Sequence, residues 1–119
     1  MELQIFKNAE FGSVRSTIIN GKPFLVGKDV AEILDYVDLN KAIVMYVDED
    51  DKLNDKTALS LGQHGGWFIN EFGLYSLILS SKLLATKRFK RWVTSEVLPV
   101  IRRHWVYAVD DMLNNPNML

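Results

Sequence analysis

Lys87, Arg88, Lys90 and Arg91 place four cations within five residues, and Arg102 and Arg103 follow beyond Pro99 in the same stretch, "KRFKRWVTSEVLPVIRRH". The chemistry open to such a cluster is phosphate binding. Each Lys or Arg that neutralises a phosphate releases counterions, and an arginine can clamp the phosphate oxygens bidentately. Lys82 adds to the group. Residues 82–104 hold seven basic side chains against Glu96 alone, an excess of +6. The seven basic and fourteen acidic residues elsewhere give −7, so a net charge of −1 conceals a dipole. Its basic pole would steer toward phosphate. The plainer alternative is a solvated basic face on an amphipathic helix. Basic charge also suits a helix C-terminus, which gives Arg102 and Arg103 a structural explanation as well.

Other chemistry finds little support. The chain has no cysteine, which excludes disulfides, thiol nucleophiles and Cys-ligated metals. His64 and His104 lack metal-ligand spacing. "DEDDKLND" lacks the glycine and the final glutamate of a calcium loop. "GQHGG" is followed by neither Lys-Ser/Thr nor a helix, so it is not a phosphate loop. No nucleophile elbow, zinc-protease or kinase signature occurs, and no acid pair is set for acid–base work. Neither an enzyme nor a metal or cofactor site is expected.

The elements that must carry the basic cluster emerge from local pattern. "LQIF" (Leu3–Phe6) reads as a strand. "GSVRSTIINGKPFLV" reads as a hairpin turning at Asn20-Gly21, a type I′ signal, with Pro23 placing its second strand at an edge or at the first strand position. "GKDVAEILDYV" takes helical period, with Val30, Ile33, Leu34 and Val37 on one face and Asp29 as N-cap or first-turn acid. "DLNKAIVMYV" reads as a short helix capped by Asp38 or Asn40. Asp48–Lys56 reads as an acidic loop. "TALSL" and "GWFI" around "GQHGG" suggest a second hairpin. Asn70 caps a helix, "NEFGLYSLILSSK", apolar nearly all round and expected to be buried. Gly73 in its first turn implies close packing there. In the opening stretch Phe89, Trp92, Val93, Val97, Val100 and Ile101 share one face, with Glu96 among them. Lys87, Arg91, Thr94 and Arg102 lie opposite. Pro99 should bend or split the helix. The expected class is α+β: a small antiparallel sheet, an N-terminal and a mid-chain hairpin, packed with a buried central helix and a C-terminal basic amphipathic helix.

A chain of 119 residues suggests one domain with a core of its own. No apolar run is long enough to span a bilayer, and the start does not read as a signal peptide.

Taken in order, these segments resemble the Bro-N family, the N-terminal domain of phage antirepressors and of baculovirus-repeated-ORF proteins. "LQIFKNAEFGSVR", "GKPFLVGKDVAEIL", "VDEDDK" and "INEFGLYSLILSSKLLATKRFKRWVTSEVLPVIRRH" carry the resemblance, across roughly residues 2–107. Tyr46, Phe72 and Trp105 depart from the family's usual His, small residue and Gly. The resemblance implies a DNA-binding domain over residues 1–107, with 108–119 beginning a linker to a further C-terminal region. It also implies a bacterial cytoplasmic setting and relief of repression by a phage repressor. Lys82, Lys87, Arg88, Lys90, Arg91, Arg102 and Arg103 would then meet phosphates. The alternative is a module that binds a repressor directly, through the acidic Asp48, Glu49, Asp50 and Asp51 and through Trp105. No membrane partner is expected.

Overall fold

Asn20 and Gly21 both take positive φ, 53° and 77°, the backbone of a type I′ turn. The computed structural model describes residues 3–56 and 65–103. In it that turn joins β2 (Gly12–Ile19) to β3 (Lys22–Val26), with β1 (Gln4–Asn8) paired on the other side of β2. Two later strands, β4 (Lys52–Asp55) and β5 (Gly66–Ile69), complete a five-stranded antiparallel sheet in the order β1-β2-β3-β5-β4. With its helices the chain is α+β, as the sequence suggests.

Two strand expectations need correction. Pro23 lies in a central strand, not at an edge or a first position. It is tolerated because it opposes Ile18 in a pair where its missing N–H would face away from β2. On that side β5 joins β3 only at Leu25 and Val26. Second, the strand paired with "GWFI" is Lys52–Asp55. The acidic stretch is therefore a 3₁₀ turn, Glu49–Asp51, running into a strand, and not a loop throughout. The "TALSL" segment and His64 fall outside the described residues.

The helices cover one face of this sheet. Helix α1 (Gly27–Ile33) buries Val30, with Leu34 buried just past its end, but Val37 is fully exposed, contrary to its expected place on the apolar face. The reason is Asp35, which takes φ 66°. The amides of Asp35 and Tyr36 turn back to the carbonyls of Glu32 and Ala31, both at 3.0 Å, closing the helix in a Schellman turn before Val37 is reached. Val26, not Asp29, is the N-cap. Helix α2 (Leu39–Tyr46) is capped by Asp38, whose carboxylate accepts the Lys41 amide at 3.1 Å.

Helix α3 (Glu71–Ser80) is capped by Asn70, which accepts the Gly73 amide at 2.9 Å. A Cβ on Gly73 would stand 3.0 Å from the Asp51 carbonyl and from the side chains of Ile69 and Val47, so the close packing expected there is present. The helix is less buried than its composition suggests: Leu74, Leu77 and Ile78 are inside, while Phe72 and Leu79 are exposed.

Helix α4 (Thr86–Trp92) runs into a π turn, Val93–Val97, and helical geometry continues over 98–103. Pro99 cannot donate to the Ser95 carbonyl. The turn before it widens instead, and the Leu98 amide reaches back five residues to Val93. That extra residue rotates the final helical turn. Leu98 is buried, Val100 is half-buried, and Glu96 faces solvent rather than joining the apolar face. Val14, Leu25 and Ile69 of the sheet meet Val30, Ile43, Leu77, Phe89 and Val93 in one core.

One buried cation serves this core. The Lys52 side chain is only 2% exposed. Its ammonium donates to the Val47 and Val44 carbonyls at 2.6 and 3.3 Å and lies 5.5 Å from the Trp67 ring centre. It thereby satisfies the C-terminal carbonyls of α2. Lys52→Met keeps the stem but orphans the part-buried Val47 carbonyl, and urea denaturation should show a loss of about 1–2 kcal/mol.

Candidate nucleic-acid interface

The position of α4 is set by the turn between β1 and β2. Asn8 folds that turn by accepting the amides of Glu10 and Phe11 at 2.8 and 3.1 Å. Phe11 then packs against Phe89 and Trp92, with ring centres 5.4 and 6.0 Å away. The Glu10 carboxylate accepts hydrogen bonds from Arg88, from Nε at 2.9 and 3.2 Å to its two oxygens and from Nη2 at 2.6 Å. The Arg88 hydrogen bond holds the Glu10 carboxyl below the usual range, and the same contact raises Arg88.

With Phe89 and Trp92 buried and Arg88 drawn to Glu10, the outer face belongs to Lys87, Lys90 and Arg91. They stand at i, i+3 and i+4, one contiguous patch of a helix. All three are exposed, and none forms a salt bridge among the described residues. Just beyond them the Thr94 hydroxyl donates to the Lys90 carbonyl at 2.8 Å, and the Ser95 hydroxyl donates to that of Arg91. These bonds occupy acceptors where the π turn begins.

The link from α3 is organised by Ser81. Its hydroxyl donates to the Leu34 carbonyl at 3.2 Å, accepts the Leu83 amide at 3.2 Å and lies 3.1 Å from the Thr86 hydroxyl. Lys82 projects from this link, exposed and without a salt bridge among the described residues. Arg103 is likewise exposed. Arg102 is bound to Glu71, which also accepts the Tyr75 hydroxyl at 2.9 Å. Burial opposes ionisation of Glu71, but the Arg102 and Tyr75 hydrogen bonds outweigh it and leave its carboxyl below the ordinary range.

The seven basic residues picked out by sequence thus divide. Lys82, Lys87, Lys90, Arg91 and Arg103 present charge to solvent, while Arg88 and Arg102 are tied to carboxylates 78 and 31 residues away in sequence. Sequence reasoning missed both tethers. The "NAEFG" segment signals a turn, but nothing local says that its glutamate meets Arg88.

The acidic residues divide too. Asp48, Glu49 and Asp50 are exposed. Asp51 is half-buried and holds the start of α3: its carboxylate accepts the Asn70 side-chain amide at 3.2 Å, and its carbonyl accepts the Asn70 backbone amide at 3.0 Å. It belongs to the fold more than to a partner surface. His104 and Trp105 lie outside the described residues. Among the described residues, no group of three His, Cys, Asp or Glu side chains is placed to hold a metal, and no helix is long and apolar enough to cross a membrane.

The family described as "BRO family, N-terminal domain" matches residues 13–99. Two Bro-N domain-containing proteins of Invertebrate iridescent virus 6 are 33% and 29% identical to this chain, each match covering 78% of the chain and 27% of the relative. An uncharacterized protein of Haemophilus influenzae is 33% identical, over 75% of this chain and 44% of its own length. The chain therefore spans less than half the length of each of these relatives. No solved structure matches it.

Proposed function

We propose, from the premise that this chain belongs to the BRO family as its N-terminal domain, that it binds nucleic acid through phosphate contacts from Lys87, Lys90 and Arg91. The observation that carries this reading is the uncompensated patch itself. The fold tethers Arg88 and Arg102 to glutamates yet leaves three neighbouring cations on one helix face with no salt bridge among the described residues. Like charges at i and i+4 cost a helix stability, so an external anion is their natural complement. Lys82 and Arg103 add exposed positive charge before and after it in the sequence. Such contacts set affinity and orientation and do not read sequence. Within a longer protein the domain would serve a prophage antirepressor, bringing it to DNA in the bacterial cytoplasm.

A fluorescence-anisotropy titration of a short duplex tests this. Binding in the micromolar range is expected at about 50 mM salt. Absence of binding there removes the reading. Glu10→Gln refines it: freeing Arg88 adds a fourth cation, and affinity should rise about threefold or more at that salt. Unchanged affinity would put Arg88 outside the contact surface.

A second reading rests on the exposed Asp48, Glu49 and Asp50, whose charge suits the basic DNA-contacting surface of a repressor. A pulldown with the repressor tests it: capture that survives Lys replacement of all three acids would exclude the turn.

A further inference from the structure

A groove of about 450 Å³ opens beside the start of α4, between the end of α1, the end of α2 and the link that carries Lys82. That volume lies in the ~300–1,000 Å³ range of small-ligand clefts. Its most distinctive wall is a pair of tyrosines. The Tyr36 and Tyr46 rings lie 5.7 Å apart at 38°. Tyr36 is locked in place by donating its hydroxyl to the Leu77 carbonyl at 2.7 Å. Tyr46 rests on it and remains 42% exposed. Val37 and Leu84, both almost wholly exposed, stand at the groove as apolar surface that the fold does not cover.

Two charged groups line the same groove. Lys82 supplies a cation, and it precedes Lys87 by five residues, at most about 17 Å of extended chain. Asp35 supplies acceptor oxygens. A carboxylate repels phosphate but accepts the amino and imino hydrogens on base edges. An aromatic face, bare apolar flanks, an edge acceptor and a cation leading to a phosphate-binding helix together fit a nucleobase joined to its backbone. They fit an apolar peptide less well, since a peptide would leave both charges unanswered.

We propose that this groove receives one unpaired nucleobase, stacked on Tyr46, with Lys82 on its phosphate and Asp35 on its edge. The site rests on the nucleic-acid reading of α4 and extends it from phosphate contact to recognition of an unpaired base.

The test compares three probes by anisotropy: a short duplex, the same duplex with one bulged base, and the same bulge made abasic. The intact chain should prefer the bulged base over the plain duplex by roughly tenfold, the order expected for one base stacked on one aromatic ring. The abasic bulge should show no preference. Tyr46→Ala should abolish the preference while duplex affinity stays within about twofold, and Tyr46→Phe should keep it. Leu84→Ser, at a position whose exposure leaves folding unaffected, should reduce it as well. Equal affinity for plain and bulged duplex, as a peptide groove would give, overturns the proposal. So does a preference that survives Tyr46→Ala and Leu84→Ser, or one retained by the abasic bulge. In each of these cases duplex binding by α4 still stands. Failure to bind any of the three probes removes both readings.

Discussion

Asp29→Ala is expected to destabilise the fold by about 3 kcal/mol, read as a lower urea midpoint with an unchanged slope. The size reflects the bonds that this carboxylate supplies in place of a strand. Strand β3 leaves the sheet at Val26, because Val26 becomes the N-cap of α1 and its carbonyl is taken into the helix. Ladder alternation points the Arg15 amide at the place β3 has vacated. Asp29, in the first turn of α1, fills it. It accepts the Arg15 backbone amide at 2.9 Å, Nε at 2.8 Å and Nη2 at 2.8 Å. The side chains are 11% and 23% exposed, so water replaces these bonds poorly, and the guanidinium loses the carboxylate that binds it directly, keeping the weaker attraction of Glu32. Hydrogen bonding to Asp29 raises the pKa of Arg15 against the opposing effect of burial. Arg15→Leu should cost less than Asp29→Ala, since the backbone amide keeps its acceptor. Equal costs would assign the whole effect to the ion pair.

Joint replacement of Lys87, Lys90 and Arg91 by Ala is expected to lower duplex affinity by at least about 30-fold at about 50 mM salt. Thermal stability should hold or rise slightly. Alanine is the best helix former, the replaced side chains are exposed, and repulsion between Lys87 and Arg91 is relieved. Opposite signs for binding and stability separate a binding patch from a merely solvated one. A triple variant that binds as tightly as the parent would move the interface off α4.

The parts of this fold legible in sequence are those fixed by local chemistry. Asn20-Gly21 and Asn70 act through bonds that close within a few residues, so their turn and cap appear where the letters place them, and of the two caps open for α2 the structure uses Asp38. The period of Phe89, Trp92, Val93 and Val97 likewise predicts a buried helix face. Errors arise where a distant or irregular feature intervenes. A left-handed Asp35 exposes Val37, and a π turn ahead of Pro99 turns Glu96 outward. Pro23 survives in a central strand because β5 arrives only after it. The mid-chain hairpin pairs through Lys52–Asp55, a strand concealed within an acidic stretch. The candidate site shows the same limit. A count of charges finds the basic patch, but only tertiary contacts reveal that Glu10 and Glu71 remove two of its arginines and that Tyr46 faces a groove.

Whether Lys87, Lys90 and Arg91 meet phosphates can be read from the salt dependence of duplex binding. The slope of log affinity against log salt should be shallower in the triple-alanine variant than in the parent by about 2.7, three contacts at ~0.9 each. Parallel slopes would show that these side chains release no counterions on binding and do not meet phosphates.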